Sequence, residues 1–591
     1  MGASLGAERE IVVPALNNCG GVLPTRAIAW LSQRRGREGS GWQNMGGWSA
    51  LAIGLALLVS VPIFVVFAYV FVPAGDVWRH LADTVLGAYV VNTLWLLFGV
   101  GMGVFVIGVG TAWLVTMCRF PGRALLEWGL LLPLAVPAYA IAYTYGGLLE
   151  YSGPVQSALR GWFGWSRGDY WFPEIRSVGG AAAVLAFVLY PYVYMLARAA
   201  FLEQSVCVIE IGRTLGRSPW RGFTSIALPL ARPAIVTGIS LALMETLSDF
   251  GAVQHLGVVT FTTGIFRTWF GLGDQAAAAQ LAAILLAFVF LLIVGERLTR
   301  GRAQFHHTSR RYRELPRYSL RGGWAAIAFL ACLLPIILGF LLPGGQLLAW
   351  VAETGSGSSG GRLWWNAANS LMLAGGTSAI AVAVALLLAY GVRLNPNPVT
   401  KSATRVAGLG YAIPGSVIAV GILIPLAWFD NTLDGWLRAS FGVSSGLLLS
   451  GTIAALMFAY VVRFLAVSLN TVDASLAKVT PNMDGVARTL GMGPAATVAR
   501  VHAPIIAPSL MTAGLLVFVD VMKELPATLI LRPFDFNTLA VYAFELASDE
   551  QLREAASPAL TIVAAGLIPV ALLSFAISHA RPGRAQAAVR P

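Results

Sequence analysis

The sequence predicts an all-α, polytopic membrane protein of about 12 transmembrane helices, arranged as two pseudo-symmetric six-helix halves. Three observations predict it. Of 591 residues, 57% are hydrophobic and only 12% charged, against about 25% charged in soluble domains, which excludes an ordinary soluble enzyme and a disordered chain. The apolar residues gather in runs long enough for the roughly 20 residues that cross a hydrocarbon layer of about 30 Å. A segment between the fourth and fifth runs of the first half returns at the same place in the second.

The runs fall near residues 49–73, 89–117, 125–149, 179–201, 233–253 and 276–296, then 323–345, 365–391, 404–428, 446–468, 508–531 and 558–579. The 64 Gly and 30 Pro are not gathered in low-complexity tracts, and membrane helices tolerate those that fall inside the runs. Ahead of the first run, residues 1–47 are polar, carry Arg9, Arg26, Arg34, Arg35 and Arg37, and lack the apolar core of a cleavable signal. The expected organisation is a cytoplasmic tail (1–47), a first transmembrane domain (48–297), a basic cytoplasmic linker (298–322), a second transmembrane domain (323–581) and a cytoplasmic C-terminal tail (582–591).

Charge gives the orientation. With the N-terminus inside, the cytoplasmic segments hold 30 of the 40 Lys and Arg and the outer loops 9, with Lys523 inside a span. Basic residues concentrate on the cytoplasmic side of membrane proteins, so both termini are expected there. The net charge of +12 thus reflects topology and not nucleic-acid binding. The linker RLTRGRAQFHHTSRRYRELPRYSLRG follows the same rule and suits contact with the anionic headgroups of the bilayer. His306 and His307 lack further ligands, and Cys19, Cys118, Cys207 and Cys332 are scattered, so neither a metal site nor a disulfide framework is expected.

Residues 210–233 align without gaps on 485–508, an offset of 275, with seven of 24 positions identical, among them Arg213/Arg488, Gly216/Gly491 and Pro229/Pro504. A similar offset relates Asn92-Thr93 to Asn369-Ser370, so the repeat extends over the halves. In each copy a short helix runs into a glycine that permits a sharp turn. A proline suited to a first helical turn opens a second short helix, which leads to Pro229 or Pro504. The pair forms a helix-turn-helix shelf in the cytoplasm.

Glu210, Gly216, Ile226, Leu228 and Pro229 form a pattern that resembles the cytoplasmic loop signature of permease subunits of ATP-binding-cassette importers. The second copy has Gly485 in the acid's place, Asp484 one residue earlier, and Val501-His502-Ala503-Pro504 for Ile-x-Leu-Pro. LPLAVPAYAIAYTY (132–145), METLSDFGAV (244–253), FTTGIFRTWFG (261–271) and MKELPATLILRPFDFNTLAVYAFE (522–545) resemble the fused two-half permeases of ferric iron importers. The resemblance covers roughly residues 48–580 and implies the type I importer permease fold. It further implies coupling loops at Glu210, Arg213, Gly216, Pro229, Asp484, Arg488, Gly491 and Pro504, docked by two copies of an ATPase subunit, and a periplasmic substrate-binding protein that delivers ferric iron. Thiamine, a polyamine or another small solute stay open as substrates. An ion-coupled secondary transporter is the rival of another class, and a channel the weaker third; parallel halves and a duplicated shelf speak for the importer.

A phosphate-binding loop needs G-x-x-x-x-G-K-[ST]. Lys401 follows Thr400, Lys478 precedes Val479, and Lys523 precedes Glu524. No catalytic residue and no cofactor is therefore expected, and ATP hydrolysis falls to a separate subunit.

Ionisable groups inside spans are costly and point to function. The 275 offset sets Glu245 on Asp520 and Asp249 on Glu524, so each fifth span carries acids at i and i+4, expected on one helix face. At 1.5 Å per residue they lie about 18 and 24 Å from the cytoplasmic end. Four carboxylates suit a hard cation and make Glu245, Asp249, Asp520, Lys523 and Glu524 a candidate translocation path. Lys523 is a partner for Glu524 or Asp520 in a closed path, with Arg267 and Arg532 in the same role further out. Equally open is that the acids form interhelical ion pairs or cap broken helices near Gly251 and Pro526. The aromatic loop 150–177 is expected outside, as a binding-protein platform or an interfacial belt.

Overall fold

A computed structural model describes residues 47–73, 75–166, 168–203, 219–300, 317–354 and 360–579. Among them ten helices are long and apolar enough to cross a membrane. Five come from the first half: Gly47–Tyr69, Leu86–Met117, Val178–Leu202, Trp220–Ser248 and Gln275–Thr299. The other five are Gly323–Thr354, Gly360–Leu394, Gly415–Phe441, Ile453–Leu476 and Pro494–Met522. Two of the twelve expected runs are not among these ten. The run at 125–149 is a bent pair, Arg123–Ala135 and Ala138–Phe163, with 93° between them. The last run lies in helix Leu552–His579.

The bend has a local cause. Pro137 offers no N–H to a continuing helix and pushes the residue before it out of the helical region; Val136 is extended at ψ 126°, and helix Ala138–Leu149 starts afresh behind Pro137. The second half repeats the device, with Ile413 at ψ 128° before Pro414 and helix Gly415–Phe441 behind it. The repeat also reaches long-range contacts: Asn92 Nδ2 donates to Val259 O at 3.0 Å, and Asn369 Nδ2 to Asn537 O at 3.0 Å.

Within the first half, Leu86–Met117 packs along Val178–Glu203, and within the second, Gly360–Leu394 packs along Ile453–Leu476. Without a hydrophobic drive between helices in lipid, small residues that admit close approach hold such pairs. Gly99 and Gly103, four apart, lie against the Cβ atoms of Ala182 and Ala186. The first span of each half leans on the other half. Gly47–Tyr69 packs on Pro398–Ala407 and Gly415–Phe441, with Asn395 Nδ2 donating to Ser49 Oγ at 3.1 Å. On the opposite side Tyr145 Oη donates to Leu338 O at 2.7 Å. A two-residue parallel bridge, Cys118–Arg119 with Tyr318–Ser319, ties the end of the linker to the first half.

Two arginines counted as cytoplasmic are buried inside helices. Arg198, on Val178–Glu203, pairs with Glu127; Arg463, in the middle of Ile453–Leu476, is taken up below. Both lie toward the ends of expected runs, Arg198 in 179–201 and Arg463 in 446–468, and packing shows which acids they meet.

Candidate functional site

The fifth span of each half stops short, and this break builds the site. Helix Leu228–Ser248 ends at Asp249, whose backbone is extended at φ −69°, ψ 133°, and a five-residue helix Gly251–His255 follows. In the second half, Ala503–Met522 ends at Lys523 and Pro526–Leu531 follows. The expected spans 233–253 and 508–531 are therefore not continuous, and neither acid pair shares a helix face, because each helix ends between its two members. A broken helix exposes N–H groups that must find partners inside the bilayer. Asp249 Oδ1 accepts from the N–H groups of Ala252 and Val253 at 3.1 Å each. Glu524 Oε1 accepts from Ala527 N–H at 3.1 Å. The capping role left open by the sequence is thus real at both equivalent positions.

The breaks also aim the acids at one place. Glu245, Asp249, Asp520, Lys523 and Glu524 all line a single cavity of about 100 Å³ between the halves, together with Tyr139, Tyr192 and Arg463. Lys523 Nζ pairs with Asp520 Oδ1 at 2.9 Å. Arg463 reaches Glu524 Oε1 at 2.9 Å and, across the interface, Glu245 Oε2 at 4.0 Å. Arg532 does not serve these acids: it pairs with Glu545 Oε1 at 2.7 Å, since it lies beyond the short helix Pro526–Leu531. Asp249 makes no ion pair among the described residues.

The halves differ in charge at this cavity. By the 275 offset Arg463 answers to Val188 and Lys523 to Ser248, so both cations come from the second half. Gly415 is part of that asymmetry. A Cβ at Gly415 would land on Arg463 Nη1 and 2.5 Å from Glu524 Oε1, whereas Ala138, which also follows its proline, already carries a Cβ at the wall of the same cavity. Gly415→Ala is expected to cost about 1–3 kcal/mol by overpacking, read as a lower melting temperature in detergent, while Ala138→Gly costs under about 1 kcal/mol. Equal stability of Gly415→Ala and the parent would refute the steric account. Arg463 was missed as a site residue, although the rule for ionisable groups within apolar runs applies to it: Ala459-Tyr460-Val461-Val462 precede it and Phe464-Leu465-Ala466-Val467 follow.

At the other end of the fifth spans, the second shelf takes shape as helix Pro481–Thr489. Gly491, at φ +73°, turns the chain, with Met492 N–H donating back to Ala487 O at 3.0 Å. The second helix of the shelf does not stop at Pro504. It runs from Pro494 to Met522 as one span, through a wide turn at Val498–His502 that accommodates the proline's missing N–H. The same turn occurs at Phe223–Ala227 before Pro229. Asp484 faces inward: Arg393 holds it at 2.8 Å and His502 Nε2 at 2.8 Å, and Arg393 also donates to Leu476 O and Val479 O. Arg488 is exposed. Met483, Val486 and Leu490 are 40%, 59% and 73% exposed, an apolar stripe at helical spacing. Glu210, Arg213 and Gly216 lie outside the described residues.

Comparison with known proteins adds three relatives. The chain is 27% identical over 528 residues to the Fe(3+)-transport system permease protein FbpB 2 of Haemophilus influenzae, covering 88% of this chain and 97% of the relative. It is 33% identical over 225 residues to the molybdenum transport system permease protein ModB of Escherichia coli, covering 37% of this chain and 93% of the relative. With the sulfate transport system permease protein CysT of Escherichia coli it shares 28% identity over 193 residues, 32% of this chain and 67% of the relative. No family model matches the chain.

Proposed function

From the premise that this chain belongs to the permease family of ATP-binding-cassette importers, we propose that it carries ferric iron across the inner membrane. The iron is handed over by a periplasmic binding protein, and two copies of a separate ATPase subunit hydrolyse the ATP. Both halves of the permease are fused in one multi-pass chain, and residues 48–297 and 323–581 act as the two transmembrane domains. The basic segments put both termini in the cytoplasm.

The observation that carries the substrate reading is the convergence of Glu245, Asp249, Asp520 and Glu524 on one cavity between the halves. Against these four acids stand two bases, Arg463 and Lys523. The surplus is negative, so the cavity favours a cation over an oxyanion such as the sulfate in the name of one relative. Oxygen donors match a hard, highly charged ion. The ion pairs hold the path closed, and an entering cation competes with Arg463 and Lys523 for the same carboxylates.

Coupling follows from the shelf. Met483, Val486 and Leu490 offer an apolar face to an ATPase, while the Arg393–Asp484–His502 cluster fastens the shelf to the membrane helices. From Pro494 the chain runs unbroken to Met522, roughly 40 Å at 1.5 Å per residue. A push at the shelf therefore reaches Asp520 and Lys523 through one rigid body. Glu210, Arg213, Gly216 and Pro229 form the matching foothold in the first half. The ATPases then need a higher affinity for one arrangement of the halves than for the other.

Co-expression of the chain with an ATPase subunit and a binding protein in vesicles tests the reading, with ATP-dependent uptake of radioactive ferric iron as the signal. Val486→Asp with Leu490→Asp is expected to reduce uptake at least tenfold and to loosen ATPase co-purification, with membrane insertion unchanged. Uptake driven by a proton or sodium gradient without any ATPase would overturn the importer mechanism.

A further inference from the structure

A second cavity, of about 510 Å³, lies at the far end of the bundle from the shelf. Chain direction puts it there: Ala138–Leu149 leads away from the shelf end to Glu150, and Leu552–His579 starts back from Glu550. It is lined by both halves, with Tyr143, Glu150, Gln254 and His255 from the first and Ser548 and Glu550 from the second. We propose that this cavity is a receiving chamber for a hydrated multivalent cation, and that Tyr143 and Tyr139 form the passage from it to the charged cavity below.

Three observations carry this. The first is size. The outer cavity, of about 510 Å³, is several times roomier than the inner one, of about 100 Å³, and easily takes a cation with its waters, about 180 Å³ for six at about 30 Å³ each. An ion that leaves the roomier cavity for the carboxylates of the tighter one exchanges water for protein oxygens. The second is the pair of tyrosines. Tyr143 lines the outer cavity and Tyr139 the inner one; they are one helical turn apart with ring centroids at 5.7 Å. Both side chains are buried, at 2% and 4% exposure, and neither hydroxyl has a hydrogen-bond partner among the described residues. Buried hydroxyls normally find partners, because an unmade hydrogen bond is costly. Two such oxygens in sequence between two polar cavities are suited to exchange for the waters of a passing ion. His255 Nε2, also without a partner, stands beside the Tyr143 ring at 4.7 Å between centroids.

The third observation is Glu550. It caps the helix Leu539–Ser548 in the left-handed region, at φ +62°, with Gln551 N–H donating to Leu546 O at 2.8 Å. Glycine is the residue this geometry favours. The glutamate there, against backbone preference, sets a carboxylate at the mouth of the chamber. Glu150 across the chamber is matched by Arg176 at 3.0 Å, so Glu550 supplies the chamber's surplus negative charge.

The inference rests on the cation reading above, and the experiment separates the two. Terbium(III) chloride, a hard trivalent probe, is titrated into the full-length chain in phosphatidylcholine nanodiscs and followed by aromatic-sensitised emission. Glu550→Gly, which removes the carboxylate and suits the backbone, is expected to weaken terbium binding at least tenfold. Tyr143→Phe, which removes a hydroxyl without a partner and leaves the ring, is expected to bind terbium as the parent does. In vesicles with ATPase and binding protein, that variant is expected to take up ferric iron at least tenfold more slowly. Parent-like terbium binding by Glu550→Gly would overturn the chamber, and parent-like uptake by Tyr143→Phe the passage. Terbium binding that survives Glu245→Gln with Asp249→Asn, in a transporter whose uptake is gone, supports a chamber separate from the inner acids. Absence of ferric uptake by the parent transporter would overturn the cation reading itself, whatever terbium does.

Discussion

Replacing Arg463 with methionine is expected to destabilise the protein by about 3–5 kcal/mol, the cost of leaving a buried carboxylate without its cation. Arg463 and Glu524 are both almost fully enclosed, at 7% and 4% side-chain exposure, and 2.9 Å apart. Glu524 also caps Ala527, so its loss of charge balance would strain the broken fifth span as well as the cavity. The double variant Arg463→Met with Glu524→Gln removes the orphaned charge and keeps an acceptor for Ala527 N–H. It is expected to recover most of the stability, since a buried ion pair is often worth little more than a neutral replacement of its volume. Thermal unfolding in detergent decides the matter: if single and double variants melt together, the pair is not what holds the second half's break in place.

The second large effect is on transport. Glu245→Gln with Asp249→Asn is expected to lower ferric uptake at least a hundredfold while ATPase subunits still assemble. The substitutions are chosen so that structure survives. Asparagine caps a helix about as well as aspartate and can keep both bonds to Ala252 and Val253, and Glu245 stands 4.0 Å from Arg463, too far for a hydrogen bond that the fold would miss. What disappears is negative charge in the cavity. Unchanged uptake would reject a path role for the first-half acids and leave them as caps alone.

Much of this was legible without coordinates. The apolar runs, the parallel halves and the 275-residue offset follow from local composition and self-similarity, and the ionisable residues of the fifth spans stand out because charge in an apolar run is rare. Where the reading slipped, the cause was distance along the chain. Arg463 stood near the end of a run and was read with the loop behind it, yet its partners are Glu524 and Glu245, 61 and 218 residues away. Arg532 was matched with acids close to it in sequence, but it turns to Glu545. The expectation that Glu245 and Asp249 share a face assumed a helix continuing past Asp249, but it ends at Ser248.

By itself, then, the sequence determined an all-α membrane protein of two like halves, the shelf that follows the fourth span of the second half, and which residues carry charge into the bilayer. These are consequences of periodicity and composition, which act over a few helical turns. Only the tertiary structure decided which acid is paired, which caps a broken helix, and that all four open on one cavity beneath a larger one. Those outcomes depend on where helices stop and which distant segments meet there, and a buried charge takes its partner from whatever the packing brings within reach.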